Sequence, residues 1–293
     1  MMRRDESCAL IPMDADPTRI PPHDPAQAPL APGSRLQIRH GELVVDMAPE
    51  AGGRIAQITR NGMPWLVDYD AEHAAMIAWG SYPMVPWAGR IRRGRFRFEG
   101  QDYQLPINLG DHAIHGVALA MPWQVDVQAF SHVELSLALP TDERWPFGGS
   151  VHQRIEVHED QVRMTLTVRA GKRAMPATIG WHPWFQKPDR VDIHPGQVYP
   201  RDAEGIATLP LAEPPPGPWD DCFLNDRPVL MHRLGQSVRL TSDCNHLVVY
   251  DEPTHATCIE PQSGPPDAFN LARAAHLPPH SSLSAWLLLE WLK

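Results

Sequence analysis

Cysteine is scarce and scattered in this 293-residue chain: Cys8, Cys222, Cys244 and Cys258, with no Cys-x-x-Cys pair. That distribution argues against a disulfide frame or a cysteine-based metal site and for reduced thiols in a cytoplasmic setting. Long apolar runs are missing too, so no stretch reads as a membrane span. The apolar stretch after Arg3 and Arg4 is interrupted by Pro12 and followed by Asp14 and Asp16, which argues against a signal peptide. Positive charge is in deficit; a net charge of -9 disfavours nucleic acid and anionic membrane as partners. Helical periodicity is weak throughout, with room for a turn or two at residues 72–78 and 267–275. A phosphate-cradling glycine loop, a dinucleotide fingerprint and a Ser or Cys nucleophile motif are all absent.

What the chain has in quantity is proline, 32 residues, and tryptophan, 10. Proline at about twice ordinary usage, without a collagen period, points to short strands joined by fixed turns. Residues 1–33 hold seven of the prolines and few large apolar groups. They read as a tail without chemistry, disordered or extended over the rest. From Leu36 onward period-two segments follow one another: Leu36-Gln37-Ile38, Ile55 to Thr59, Phe96-Arg97-Phe98, Val133 to Leu137, Val151 to Val157, Val162 to Val168, Leu247 to Tyr250 and Leu283 to Leu292. Turn signals such as His40-Gly41, Asn61-Gly62 and Glu99-Gly100 separate several of them. Residues 34–293 are therefore expected to form one all-β, antiparallel two-sheet sandwich.

Five stretches place polar groups where loops are expected between those strands. The run from Ala256 to Asn270 contains Glu260 at an apparent strand end, followed by Pro261 and the stiff Gly264-Pro265-Pro266. A carboxylate fixed there suits a general base, although an exposed Glu at a sheet edge has the same signature. Arg90 closes the loop Tyr82 to Ile91 as a bidentate donor, while Arg92, Arg93, Arg95 and Arg97 suit an outer strand face. His115-Gly116 permits a tight turn presenting an imidazole. His112 lies three residues earlier, but no third ligand at useful spacing supports a metal. In Gly180-Trp181-His182-Pro183-Trp184-Phe185 an imidazole lies between two indoles, either in an aromatic core or in a sugar-stacking wall. Asp220 and Asp221 are adjacent, so one of them at most is expected to enter any one pocket. One Glu, two His, one Arg and one Asp are equipment for moving protons on an uncharged polyhydroxylated ligand.

In this order the motifs resemble those of the aldose 1-epimerase (galactose mutarotase) family: Gly89-Arg90-Ile91, His115-Gly116, Gly180 to Phe185, Asp220 or Asp221, and Glu260-Pro261-Gln262 followed by Pro266 to Asn270. The resemblance runs from about residue 35 to the C-terminus. It implies a large antiparallel β-supersandwich and cofactor-free, metal-free interconversion of the α and β anomers of a hexose, by a monomer or homodimer. It casts Glu260 as the base on the C1 hydroxyl and His182 as the acid on the ring oxygen. His115 would hydrogen-bond near that oxygen, with Arg90, Asp220, Trp184 and Gln262 binding the sugar. Three departures bear on the substrate: Gly89 in place of Asn, Val117 after the His-Gly pair, and Trp184 in place of Tyr. The alternatives are a hexose-6-phosphate epimerase using the arginine run, a glycoside hydrolase or lyase using Asp220 with Glu260, and a sugar-binding protein without catalysis.

Overall fold

A computed structural model describes residues 24–293. Residues 1–23, most of the proline-rich segment, lie outside the described residues. The fold is antiparallel β almost throughout, built on two large sheets of ten and eight strands, with three two-stranded ribbons beside them. Among the described residues the helical content is three short 3₁₀ turns. Neither residues 72–78 nor residues 267–275 form a helix; both are chains of turns and bends.

The eight-stranded sheet behaves as a period-two pattern requires. In Ser150–His158, Gln161–Arg169 and Ser282–Leu292, buried residues alternate with partly exposed ones. The buried set (Val151, Ile155, Val162, Leu166, Leu287, Leu289) packs into one core with Ile38, Val45, Ile58, Trp181 and Ile259 from the other sheet. Hairpin signals set the registers. Asn61 and Gly62 both take positive φ, as do Glu99 and Gly100, as required of the two central residues of the hairpin turns that match strand twist.

The ten-stranded sheet is different at its centre. Ser81–Met84, Gly180–Gln186 and Ala256–Gln262 lie side by side and are buried on both faces. Trp181, Phe185 and Ile259 point into the sandwich core, while Tyr82, Trp184 and Cys258 belong to a separate cluster on the opposite face. Trp181 Nε1 donates to Gln153 of the other sheet, which fixes the inward face. Since successive residues of a strand alternate, His182 with Trp184, and Cys258 with Glu260 and Gln262, occupy the outward face.

Residues 24–30 run along this outward side. Ala26 N donates to Asn108 O, Leu30 N to Ala74 O, and the Ala28 carbonyl accepts from Met76 N.

Candidate active site

A cleft of about 250 Å³ opens on the outward face of the ten-stranded sheet. Its walls bring together Arg90, His115, His182, Trp184, Asp220, Glu260 and Gln262, with Tyr82, Tyr250, Arg201, Asp221 and Glu252. All seven residues singled out in the sequence therefore meet in one place, from segments up to 172 positions apart.

Their supports are strands where loops were expected. Glu260 sits inside Ala256–Gln262, and His182 inside the neighbouring strand Gly180–Gln186. The two strands pair at Gly180↔Gln262 and again from Trp184↔Cys258. Between those points Pro183 and Pro261 have no N–H to contribute. Continued through the gap, the same register sets His182 opposite Glu260. Pro261 does not end its strand, because that strand pairs on its other side with His246–Tyr250, where Pro261 faces Leu247. Nor is Glu260 an exposed edge carboxylate; it is 2% exposed.

Glu260 Oε1 lies 3.2 Å from His182 Nε2, and its Oε2 accepts from Gln262 Nε2 at 3.2 Å. The His182 ring is stacked on Tyr82 (centroids 4.9 Å) and on Trp184 (5.3 Å), with His115 edge-on at 5.0 Å. Three aromatic rings thus hold the imidazole, leaving its edge free. Trp184 is stacked with His255 as well, at 6.0 Å. With ring neighbours on two sides it braces His182 more than it offers an open platform to a sugar.

Burial dominates the electrostatics. It pushes the Glu260 carboxyl well above the usual carboxylate range, helped by Asp220 and opposed by Arg90 and the Gln262 amide. It pulls His182 down to about 3, with Arg54 and Arg90 pushing the same way. His115 is also held well below the ordinary imidazole value, by burial, then by His182 and Arg90. Independent groups would have put a basic carboxylate beside a charged imidazole. Here burial shifts both groups the other way, toward a proton on Glu260 and a neutral His182.

The remaining segments close the site. His115 is in the left-handed region (φ 60°), with its N–H bonded to Gly89 O at 2.9 Å. Gly116 follows with φ 77° and passes so close to Val85 O that a Cβ would lie 2.0 Å from it. The loop after Glu260 is not held by stiffness alone: Ser263 N donates to Ile179 O and Asp267 N to Arg90 O. Asp267 Oδ1 accepts from Arg92 N and Asn270 Nδ2. Both aspartates border the cleft, contrary to the expectation of one. Arg201 bridges them, 2.7 Å from Asp220 and 3.1 Å from Asp221. Burial, ahead of any neighbouring charge, raises Asp220.

Other candidates fall away from the cleft. His112 Nδ1 accepts from the Arg93 backbone. Arg92 is paired with Asp202 and Glu204, Arg93 with Glu204, and Arg95 with Gln104. Tyr82, Arg201, Tyr250 and Glu252 were not anticipated; of these only Tyr82, next to Pro83 in a proline-fixed stretch, carried a local cue.

One set of donors has the composition of a metal site: ligand atoms of His182, Cys258 and Glu260 lie within 4.8 Å of one another, all buried. Burial, followed by the Glu260 charge, holds the Cys258 thiol well above its ordinary range. The set offers three donors, two of which form the buried His182–Glu260 contact, and we assign no metal to these residues.

The aldose 1-epimerase family matches residues 34–289. The chain belongs to that family. It is 32% identical over 155 residues to the uncharacterised Escherichia coli (strain K12) protein YphB, covering 50% of each chain. To YihR of the same organism, also uncharacterised, it is 29% identical over 140 residues, 46% of this chain and 44% of the relative. The chain thus spans about half the length of the curated relatives it matches. Among solved structures it is similar to a putative aldose 1-epimerase from E. coli K12 (TM-score 0.78, 20% identity, 88% of this chain and 99% of that one). A galactose mutarotase-like protein from Clostridium acetobutylicum gives TM-score 0.78 at 17% identity, over 88% and 95% of the two chains. These likenesses establish the galactose mutarotase-like fold.

Proposed function

We propose that this protein is an aldose 1-epimerase, interconverting the α and β anomers of a neutral hexose without metal or cofactor, in the cytoplasm. The observation that carries the reading is the buried His182–Glu260 contact of 3.2 Å at the base of the cleft. The exchangeable oxygens of a cyclic aldose, the C1 hydroxyl and the ring oxygen, are both bonded to C1. An acid and a base one hydrogen bond apart are suitably spaced to serve both.

In the reactive tautomer the pair's proton is on His182 and Glu260 is a carboxylate. Arg90 favours that form of the carboxyl, as do hydroxyls of a bound sugar. Glu260 takes the proton from the C1 hydroxyl, the C1–O5 bond breaks as the carbonyl forms, and His182 delivers its proton to O5. Rotation about C1–C2 presents the other face of the aldehyde. His182 then recovers its proton from O5, O5 attacks C1, and Glu260 returns its proton to O1. Protons balance over the cycle, and each transfer supplies about 10² to 10⁴ in rate. His115 Nδ1, His182 Nδ1 and Gln262 Oε1 are buried polar atoms without a protein partner, suited to sugar hydroxyls. Asp220, held by Arg201, is placed to accept hydroxyl hydrogens at the rim.

Charge favours a neutral sugar over a hexose phosphate. The arginines that a phosphate reading would use, Arg92, Arg93 and Arg95, are engaged with other side chains outside the cleft. At the rim, Asp220, Asp221 and Glu252 outnumber Arg90 and Arg201. A hydrolase using Asp220 is disfavoured as well, since Arg201 already occupies that carboxylate.

The test is polarimetry or exchange NMR on freshly dissolved α-D-glucose and α-D-galactose. Wild type should speed equilibration, while Glu260→Gln and His182→Ala should each lose at least about 10² in kcat. Failure of wild type on every neutral aldose would remove the proposal; full activity in Glu260→Gln would remove only the assigned base.

A further inference from the structure

We infer that residues 24–30 form a clasp that holds two walls of the cleft at their working distance, adding to the Tyr82 ring that touches both through Ile77 O and His115. One wall is the turn-rich segment 72–78, which supplies Ile77; the other is the segment 108–116, which supplies Leu109, Ile114 and His115. Among the described residues no backbone hydrogen bond joins these two segments to each other. The clasp bonds to both. At its start the Asp24 carboxylate accepts from Gly110 N, and Ala26 N donates to Asn108 O at 2.9 Å. Farther along, the Ala28 carbonyl accepts from Met76 N at 2.8 Å, and Leu30 N donates to Ala74 O at 3.0 Å. Ala26 is 1% exposed, and Leu30 packs against the cluster around Trp79.

Each contact leads inward by one more step. Asn108 Nδ2 donates to Ile114 O, and its Oδ1 accepts from Ile114 N, so the anchor of the clasp sets the backbone next to His115. On the other side Ile77 O accepts from the Tyr82 hydroxyl, and Tyr82 is the ring stacked on His182. The clasp therefore acts as a positioning element, touching no reacting atom while setting where the hydroxyl-binding walls stand. A small displacement of such walls weakens binding of the correct pose before it impairs proton transfer.

The effect on substrate rests on the epimerase reading; the clasp itself does not, and the experiment separates the two. Ala26→Arg in the full chain cannot be buried and should release the segment, while Ala26→Ser should keep it. Hydrogen exchange followed by mass spectrometry should show amides of 74–78 and 108–116 exchanging about tenfold faster in Ala26→Arg, with the central strands unchanged. KM for the aldose should rise about fivefold with kcat within about twofold, and Asp24→Ala should move both readouts the same way but less. Unchanged exchange at both walls would overturn the clasp. So would faster exchange with an unchanged KM, or a fall in kcat and global stability together in Ala26→Arg with KM unmoved. A wild type inactive on every aldose would overturn the functional reading alone, leaving the exchange data to judge the clasp.

Discussion

His182 and Glu260 form a buried pair 3.2 Å apart, and the pair differs from its parts. An exposed imidazole titrates near 6.5 and an exposed glutamate near 4.3. Burial separates the two in the opposite sense from that order, lowering His182 to about 3 and raising Glu260. The pair takes up a second proton only in strong acid and gives up its single proton only above the usual carboxylate range. On the proposed mechanism activity needs that single proton. The kcat/KM profile of the free enzyme should therefore have no acid limb near 6.5 and should stay flat down to about pH 5. A limb centred near 6.5 would mean that a solvent-titrating histidine controls the reaction. Tyr82→Leu removes one ring of the stack that holds His182 and leaves the acid and base in place. It should lower kcat by about tenfold, as a displaced proton donor would, with a smaller change in KM.

At the scale of the element, the site depends on a few backbone positions that tolerate only glycine. Gly89 stands in place of the Asn of the resembling motif, a departure expected to bear on the substrate. The local geometry gives a different reason for the glycine. Gly89 has φ 67°, and a Cβ there would lie 2.9 Å from the Pro266 ring, in the loop that follows Glu260. Gly89→Asn should therefore not improve sugar binding. It should cost about 1–3 kcal/mol in urea or guanidinium unfolding by displacing Pro266, since overpacking at a closed contact costs that much. The same geometry explains how far the sequence could be read. Strands of the eight-stranded sheet were legible because one face is buried and the other is not, as Val162 to Val168 illustrates. The strands bearing His182 and Glu260 are covered on both faces and carry Pro183 and Pro261, so they had no alternation to find and looked like interrupted loops. The residues themselves were legible from type and order, as with His115-Gly116. Arg201, in a polar turn without a marker, became visible only when the fold set it between Asp220 and Asp221.

For the whole molecule the relevant quantity is how many protons folding excludes or retains. His115, His182 and His246 are all buried with lowered proton affinity, His246 to about 4, largely through burial and secondarily Arg273. Below about pH 6.5 the unfolded chain takes up these protons and the native one does not, so ∂ΔG/∂pH is positive and stability falls with falling pH. Glu260 and Asp220 act in the opposite sense: their raised folded values keep protons that the unfolded chain releases, a contribution lost as pH rises through those values. His112 and His255 are lowered too and Asp267 is raised, so five imidazoles stand against three carboxyls and the unfolded chain is the net proton acceptor between about 4.5 and 6.5. Below about 4.5 the raised carboxyls cease to oppose, and the lowered carboxyls Asp70, Asp142, Glu156, Asp192 and Asp202 add to the acid sensitivity. His246 is the one to test, because it lies outside the cleft lining and its imidazole only meets the Tyr199 hydroxyl at 3.1 Å. A His246→Gln variant cannot titrate there. Its stability should fall less than that of wild type between pH 8 and pH 5, by about 1–2 kcal/mol for a shift of this size. The comparison is made by urea unfolding at the two pH values, and the change at pH 8 reports the lost Tyr199 contact separately. Equal pH dependence in the two proteins would show that His246 is protonated in the folded state, and the acid sensitivity would then have to be carried by the other shifted imidazoles and carboxyls.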